Sequence, residues 1–315
     1  MFLYNRVSKK ELRKKVAAEP FKRVTLSFYR YVNIENPVSF RDELFGYWQH
    51  LNILGRIYVA HEGINAQMSI PEHNFKAFEE HLQQNPYLAN VPFKKAIEDD
   101  SRSFFALTMK VKKKIVADGL PDDAFDTENT GQRLDALTFH KMIDEPGTLV
   151  VDMRNKYESE VGRFYNAICP QVKTFREELP VVLDMLADKK DKNILLYCTG
   201  GVRCEKASAW LKHHGYEKVY QLDGGIIQYT HEIRQQGLES KFIGKNFVFD
   251  ERMGERITGD VLSKCPTCGE ACDRHVNCAN PPCHTLIIQC EKCEEKSQGF
   301  CSEKCDAEYH AAVVR

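Results

Sequence analysis

Two cysteines that flank a glycine pair carry the clearest chemical signal in this sequence. Residues 197–208 read YCTGGVRCEKAS, with Cys198 at the end of an apolar run and Cys204 six residues later. The two glycines let the backbone curl and present several N–H groups to one atom. Those groups, a helix N-terminus and the Arg203 cation would all stabilise a thiolate, which is a nucleophile. We therefore predict that Cys198 is catalytic and assisted by Arg203. The predicted loop backbone is Thr199, Gly200, Gly201 and Val202.

The same residues leave other roles open. A lone cysteine at a strand end often serves only in packing, but the glycine pair and Arg203 favour a nucleophile at Cys198. Cys204, in the first turn of the following helix, is either a resolving thiol that forms a transient disulfide with Cys198 or a small side chain packed under the loop. We include Cys204 among the catalytic candidates and expect Cys169 to be structural.

A second concentration of cysteines lies near the C-terminus. Nine of the twelve cysteines fall between residues 265 and 305, and in a reducing compartment such a cluster more often binds metal than forms disulfides. Two Cys-x2-Cys knuckles within it are separated by 21 residues. Four thiolates satisfy one tetrahedral zinc ion, so we predict structural zinc, with disulfides or reduced thiols as alternatives. The predicted ligand sets are Cys265, Cys268, Cys290 and Cys293, and Cys278, Cys283, Cys301 and Cys305, with His275 and His284 as substitutes.

Basic residues are clustered, although the formal net charge is only −1. Residues 1–30 hold nine Lys and Arg against two Glu, and residues 110–114 read KVKKK. Such patches attract a polyanion such as RNA, while a solvated helix face and a charged sheet edge explain them equally well. The candidate RNA-binding residues are Lys110, Lys112, Lys113 and Lys114.

The N-terminal elements follow from composition and periodicity. The 315 residues are 43% hydrophobic and 28% charged, which is ordinary for a globular chain of two or three domains. Residues 1–120 alternate in the order βαββαβ of a ferredoxin-like α+β domain, with FFALTMKVKKKIV as the last strand. Residues 121–147 are rich in turn-forming residues and are typical of a linker leading into a short helix.

The remainder of the chain has two parts. Residues 148–240 alternate short apolar strands with helices, which predicts a parallel sheet covered by helices, and Cys198 ends one of these strands, where such sheets bind ligands. Asp152 and Arg154 favour an ion pair that ties loops together. Residues 241–315 are cysteine-rich and too irregular to form a core without disulfides or bound metal.

No apolar run approaches the roughly 20 residues of a membrane helix, and the charged start is unlike a secretory signal, so we expect a cytoplasmic protein without membrane contact.

Several motifs together resemble known families. The loop from Cys198 to Arg203 is similar to the active loop of rhodanese domains, and LVVDMRNKYESEVGRFYNAICP and YQLDGGIIQY resemble neighbouring rhodanese segments, although Arg163-Phe164 stands where many rhodaneses have His-Ile. Four residues separate Cys198 from Arg203, one fewer than in related cysteine phosphatases. HEGINA, FVFDERM, NCAN and the terminal cysteines extend the resemblance over nearly the whole chain to the bacterial rhodanese-domain tRNA uridine hydroxylases.

That resemblance implies an enzyme that makes 5-hydroxyuridine at the tRNA wobble position with O2 as co-substrate. In this hypothesis Cys198 adds to uracil C6 and C5 then takes oxygen from O2, while Arg203 and the loop amides stabilise the enolate or hold a phosphate. Nothing in the residues indicates a flavin, haem or 2-His-1-carboxylate iron site, so we expect no organic cofactor. The alternatives are a sulfurtransferase that carries a persulfide on Cys198 and a non-enzymatic rhodanese module that binds RNA or protein.

Overall fold

The N-terminal part of the chain forms a ferredoxin-like α+β domain. A computed structural model describes residues 7–99 and 101–313, so Arg6 of the N-terminal basic cluster lies outside the described residues. Helices α2 and α3 cover one face of a mixed, mostly antiparallel sheet, and their apolar side chains form its core with those of the strands. The elements of this domain are α1 (Lys9–Ala17), β1 (Arg23–Tyr31), α2 (Pro37–His50), β2 (Leu54–Ala60), β3 (Gly63–Pro71), α3 (Phe75–Gln84), β4 (Lys94–Lys95) and β5 (Leu107–Val111).

The strand that closes the βαββαβ unit differs from the sequence prediction. The sheet order is β4-β1-β3-β2-β5, so the two-residue strand β4 pairs antiparallel with β1 in the closing position. Strand β5, taken from the stretch expected to close the fold, instead pairs parallel with β2 at the opposite edge. The sequence signal was strong at β5 because that strand has five residues, whereas β4 has two.

The second domain contains a parallel sheet of order β6-β10-β9-β7 with helices packed on it. Its strands are short, as expected, and the central residues of β7 and β9 are buried. The elements of this domain are β6 (Gln132–Leu134), α4 (Ala136–Met142), β7 (Thr148–Asp152), α5 (Lys156–Ser159), β8 (Gly162–Phe164), α6 (Phe175–Met185), β9 (Asn193–Tyr197), α7 (Val202–His213), β10 (Val219–Leu222) and α8 (Gly225–Gln235).

The second half of the expected linker contributes to this sheet. Strand β6 pairs parallel with β10, and Leu134 and Phe139 are buried in the domain core. A three-residue edge strand has too little periodicity to be recognised in a turn-rich segment, and its existence is decided by pairing with β10.

The cysteine-rich segment begins against the second domain and then becomes irregular. Strand β11 pairs with β8 and with β12, and β13 pairs with β14 in a separate hairpin. No helix in the described ranges has the length and apolarity to cross a membrane. The elements of this segment are β11 (Phe242–Asn246), β12 (Glu255–Arg256), β13 (His275–Asn277), β14 (Leu286–Ile288), α9 (Glu291–Ser297) and α10 (Glu303–Val313).

The two domains are joined through the first turns of α7. The buried Lys206 Nζ lies 2.7 Å from Asp118 Oδ2 and 2.8 Å from Glu62 Oε2. Tyr31 Oη donates a hydrogen bond to the carbonyl of Val202 over 3.1 Å. Because a buried lysine needs its partners to remain charged, these contacts hold the N-terminal sheet over the loop that precedes α7. Glu62 of HEGINA therefore has a positioning role.

Candidate active site

Cys198 follows β9 directly, and the loop after it leads into α7. The backbone N–H of Gly201 donates a hydrogen bond to Cys198 Sγ over 3.1 Å. Gly201 has φ of +103°, and a Cβ there would lie 2.8 Å from Tyr29 Oη of the N-terminal sheet, so both the backbone conformation and the available space require glycine. The curled loop expected from the Gly-Gly pair is therefore present, and it places a buried sulfur at the N-terminus of a 12-residue helix.

The surroundings of Cys198 favour a thiolate. Burial raises its pKa, but a hydrogen bond from the Cys204 thiol, the charge of Arg203 and the backbone N–H groups of Arg203 and Gly201 outweigh that effect and lower the pKa of Cys198 to about 5. Burial and the neighbouring Cys198 thiolate keep the pKa of Cys204 well above its ordinary value. At neutral pH the pair is therefore one thiolate with one thiol that donates to it, which is the state a nucleophile requires.

The Arg203 guanidinium, expected either to stabilise the enolate or to hold a phosphate, is bound to an acid within the protein. Its Nη1 and Nη2 donate to Glu158 Oε1 and Oε2 over 2.6 and 2.9 Å, and the Glu158 side chain is fully buried. A two-pronged pair of this kind fixes the plane of the guanidinium. Arg203 therefore acts on Cys198 through its charge and its backbone N–H, while its terminal nitrogens bind Glu158. Sequence reasoning missed Glu158 because the two residues are 45 positions apart.

A second acid lies near this pair without a partner. Both carboxyl oxygens of Glu178 are buried and make no hydrogen bond within the described part of the chain. Burial raises the pKa of Glu178 well above its ordinary value, against the opposing effect of Arg203. Burial therefore favours the neutral form of the Glu178 carboxyl, and Glu158 is the acid that Arg203 binds.

Asp152 and Arg154 have the structural role that the sequence favoured. Arg154 donates to Asp152 through Nε and Nη2 over 2.8 and 2.7 Å, and Tyr197 Oη donates to Asp152 over 2.6 Å. Arg154 Nη2 also reaches the carbonyl of Gly162 over 2.6 Å. The side chains of Asp152 and Arg154 are fully buried, and the network joins β7, β8 and β9.

Cys198 lines a cavity of 330 Å³ between the two domains, within the range of about 300–1,000 Å³ typical of small-ligand sites. The loop and Phe249 form one side. The N-terminal sheet forms the other side through residues that the sequence analysis did not single out. These residues are Ser27, Tyr29, Arg56, Tyr58, Asn65, Gln67 and Lys94.

Strand register explains how these side chains come together. Asn65 of β3 pairs with Tyr29 of β1 and with Tyr58 of β2, which forms one row across the sheet. Gln67 pairs with Ser27 and Arg56, which forms the next row. Successive residues of a strand point to opposite faces, so a polar and aromatic face opposite the helix-covered face was a usable sequence signal. The sequence did not indicate that this face of the N-terminal sheet lies opposite Cys198.

The four candidate RNA-binding lysines divide into two groups. Lys110 and Lys113 are exposed, and Lys112, also exposed, places its Nζ 5.6 Å from the centre of the Tyr58 ring. Lys114 differs from the prediction: its Nζ lies 2.8 Å from Asp118 and 3.2 Å from Asp122. Lys114 is therefore engaged within the protein, Lys112 lies beside Tyr58 of the cavity wall, and Lys110 and Lys113 are exposed.

The eight predicted metal-ligating cysteines form two groups in the expected combinations. Cys265, Cys268, Cys290 and Cys293 form one, and Cys278, Cys283, Cys301 and Cys305 the other, and the sulfur atoms in each lie within 4.8 Å of one another. All twelve cysteines of the chain are described and none forms a disulfide. Four convergent thiols fit a closed tetrahedral site. Cys272 belongs to neither group, and His275 is not a substitute ligand because its Nε2 contacts the carbonyl of Tyr157 over 3.0 Å.

The first cysteine group is linked to the active loop by packing. Cys272 packs against Cys265 and Cys293 of this group. His275, three residues after Cys272, packs edge-on against the rings of Tyr157 and Phe247. Tyr157 precedes Glu158, and Phe247 packs against Phe249 of the cavity wall. The cysteine-rich segment therefore supports both the partner of Arg203 and one wall of the Cys198 cavity.

Three family models match successive parts of the chain. They are the UPF0176 acylphosphatase like domain over residues 23–115, the Rhodanese-like domain over residues 135–232 and the Rhodanase C-terminal model over residues 243–306. These matches and the sheet topologies confirm the predicted ferredoxin-like and rhodanese-like domains. A solved rhodanese-like domain from Anabaena sp. covers 36% of this chain and 78% of that chain, at 20% identity and a TM-score of 0.29.

Relatives match over nearly the whole length. A protein of Leptospira interrogans named tRNA uridine(34) hydroxylase is 56% identical over 98% of this chain and 84% of that protein. Proteins with the same name from Photorhabdus laumondii and Escherichia coli are 53% and 51% identical, over 97% and 96% of this chain and 87% of each relative. The matched region includes both domains and the cysteine-rich segment, so the sequence similarity extends over all three parts of the chain.

Proposed function

Because the chain belongs to the family of tRNA uridine(34) hydroxylases, we propose that it hydroxylates uridine 34 of tRNA at C5, with O2 as co-substrate and Cys198 as nucleophile. The observation that carries the proposal is the position of the Cys198 thiolate in the wall of a cavity of 330 Å³. A single base taken out of the anticodon loop can enter such a cavity, and removing a base from a loop requires less energy than removing it from a duplex.

The reaction begins with addition of Cys198 Sγ to C6 of the uracil ring. The electrons of the C5–C6 double bond then move to form an enolate, which places nucleophilic character on C5. Reaction of C5 with O2 and one proton gives a C5 hydroperoxide. Two electrons and two protons from a thiol reductant cleave the O–O bond, leaving the C5 hydroxyl and releasing water. Loss of the C5 proton and of the Cys198 thiolate restores the double bond.

The protein supplies the protonation states that this sequence of steps requires. With a pKa of about 5, Cys198 is ionised at neutral pH and is also an adequate leaving group in the last step. Arg203 and the loop N–H groups hold the thiolate, and they stay fixed because Arg203 is bound to Glu158. Preorganised donors of this kind need no rearrangement during the reaction.

The two cysteine groups would hold structural zinc. Each would supply four thiolates and leave no open coordination position, so the metal would keep the segment folded and take no part in the reaction at Cys198. Reducing conditions that keep these thiols free of disulfides are those of the cytoplasm, where we place the protein.

The test is nucleoside mass spectrometry of tRNA incubated with the protein and a thiol reductant, in air and without O2. We expect uridine 34 to gain one oxygen atom in air only, and the Cys198→Ser variant to give no product. Gain of a sulfur atom in place of oxygen would indicate that the protein is a sulfurtransferase. Full hydroxylation by the Cys198→Ser variant would exclude Cys198 as the nucleophile.

A further inference from the structure

We propose that Gln67, with Asn65 beside it, recognises the hydrogen-bonding edge of the uracil base opposite Cys198. The inference rests on the proposed function and names the residues that select its substrate. Both amides belong to the N-terminal domain, and Cys198 belongs to the rhodanese-like domain. Base selection and nucleophilic attack would therefore be divided between the two domains.

The placement of both residues follows from the alternation along β3. Ile64, Ala66 and Met68 are fully buried in the core of the N-terminal domain. Asn65 and Gln67 alternate with them and project from the other face, where they line the cavity that holds Cys198. Strand β3 is the central strand of the sheet, so neither side chain can leave the cavity without disturbing the sheet.

The polar atoms of these amides are free to bind a ligand. The Gln67 amide makes no hydrogen bond within the described part of the chain, and Asn65 makes only a long contact, Nδ2 to the carbonyl of Ile115 at 3.5 Å. Half-buried amides normally have partners. A carboxamide offers one acceptor and two donors, which match the N3–H donor of uracil and the carbonyl oxygens on either side of it.

Other cavity side chains are less suited to read a base edge. The aromatic rings of the cavity wall stack on any base. Tyr29 Oη already donates a hydrogen bond to Glu205 Oε1 over 2.7 Å, and Arg56 Nη1 donates to a backbone carbonyl over 3.3 Å. The amides of Gln67 and Asn65 carry a donor and an acceptor in fixed positions, which the uracil edge requires.

Gln67→Leu tests this assignment, because leucine keeps most of the volume and removes both hydrogen-bonding groups. We expect kcat/KM for tRNA hydroxylation to fall on the order of 10- to 100-fold, the range expected when hydrogen bonds to one base edge are removed. The dissociation constant for tRNA should change less than about twofold, since phosphate contacts dominate affinity. Gln84→Leu, exposed on the helix-covered side of the same domain, is the matched control and should retain wild-type activity.

A binding measurement separates this inference from the proposed reaction. Anticodon stem-loop RNA with uridine at position 34 should slow alkylation of Cys198 by iodoacetamide in the wild-type protein and fail to do so in Gln67→Leu, with equal rates in both proteins without RNA. That result supports base recognition even if no hydroxylation is detected. Wild-type protection together with wild-type kcat/KM in Gln67→Leu would overturn the assignment.

Discussion

Arg203 and Glu158 form a buried, two-pronged ion pair beside the Cys198 loop, with N–O distances of 2.6 and 2.9 Å. The pair joins the first turn of α7 to α5, and the backbone N–H of Arg203 also donates to Cys198. The charge that stabilises the thiolate is therefore held in place by an acid distant in sequence. Substitutions at this pair and at the elements that support it should change both the stability of the protein and the reactivity of Cys198.

Removing the acid should destabilise the protein strongly. Glu158→Gln leaves the guanidinium of Arg203 buried without its counter-charge, and breaking a buried pair in this way costs about 3–5 kcal/mol. Urea denaturation would measure the decrease in unfolding free energy. Glu160→Gln, two residues away in a half-exposed pair with Lys156, is the matched control and should cost less than about 1 kcal/mol. Equal decreases for the two variants would contradict the role given to Glu158.

The reactivity of Cys198 should follow a low pKa. Its alkylation rate, read by mass spectrometry of the modified peptide, should rise with a midpoint near pH 5 and level off above about pH 6, since the thiolate is the reactive form. Cys169 is an internal control, because burial raises its pKa to about 11 and its rate should still be rising at pH 9. Arg203→Gln should move the Cys198 midpoint upward by removing the nearby positive charge. A Cys198 midpoint above pH 8 in the wild-type protein would exclude the stabilised thiolate.

Metal content should distinguish the clustered cysteines from the one outside them. We expect two zinc ions per chain, one fewer in Cys268→Ser and in Cys301→Ser, and two in Cys272→Ser, which changes a cysteine outside both groups. Removal of the first site should also reduce hydroxylation, because His275 and Phe247 would no longer support Tyr157 and Phe249. Elemental analysis and the nucleoside assay measure the two effects. A zinc-free protein with full stability would contradict a structural metal.

The exposed lysines Lys110, Lys112 and Lys113 should contribute to RNA affinity and Lys114 to stability. The triple change of Lys110, Lys112 and Lys113 to Glu should weaken tRNA binding and reduce the slope of log Kd against log salt by roughly one for each phosphate that no longer binds a lysine. Lys76→Glu, on the exposed surface of α3, is the control. Lys114→Glu should lower the unfolding temperature, because it would oppose Asp118 and Asp122. An unchanged slope of log Kd against log salt in the triple variant would show that tRNA binds to another surface.

Local features of the chain allowed much of the site to be predicted. The Cys198 loop is six consecutive residues whose glycines and helix start determine the geometry, so the thiolate could be inferred from that stretch alone. The two cysteine groups are similarly favoured by short spacings, Cys-x2-Cys in the first and Cys-x4-Cys and Cys-x3-Cys in the second, which bring sulfur atoms together. The alternation of strands and helices indicated the parallel sheet, although it missed β6, whose three residues depend on pairing with β10.

The amino-acid sequence by itself determined the candidate nucleophile loop, the two cysteine groups and the two kinds of domain, because each depends on residues close together in the chain. Only the tertiary structure decided that the polar face of the N-terminal sheet lies over Cys198, that Glu158 binds Arg203 and that Lys114 pairs with Asp118 and Asp122. Those outcomes depend on strand register and domain docking, held by buried contacts such as Lys206 with Glu62. Contacts of this kind form between segments that are distant in the chain, and the local sequence of one segment does not indicate which other segment it contacts.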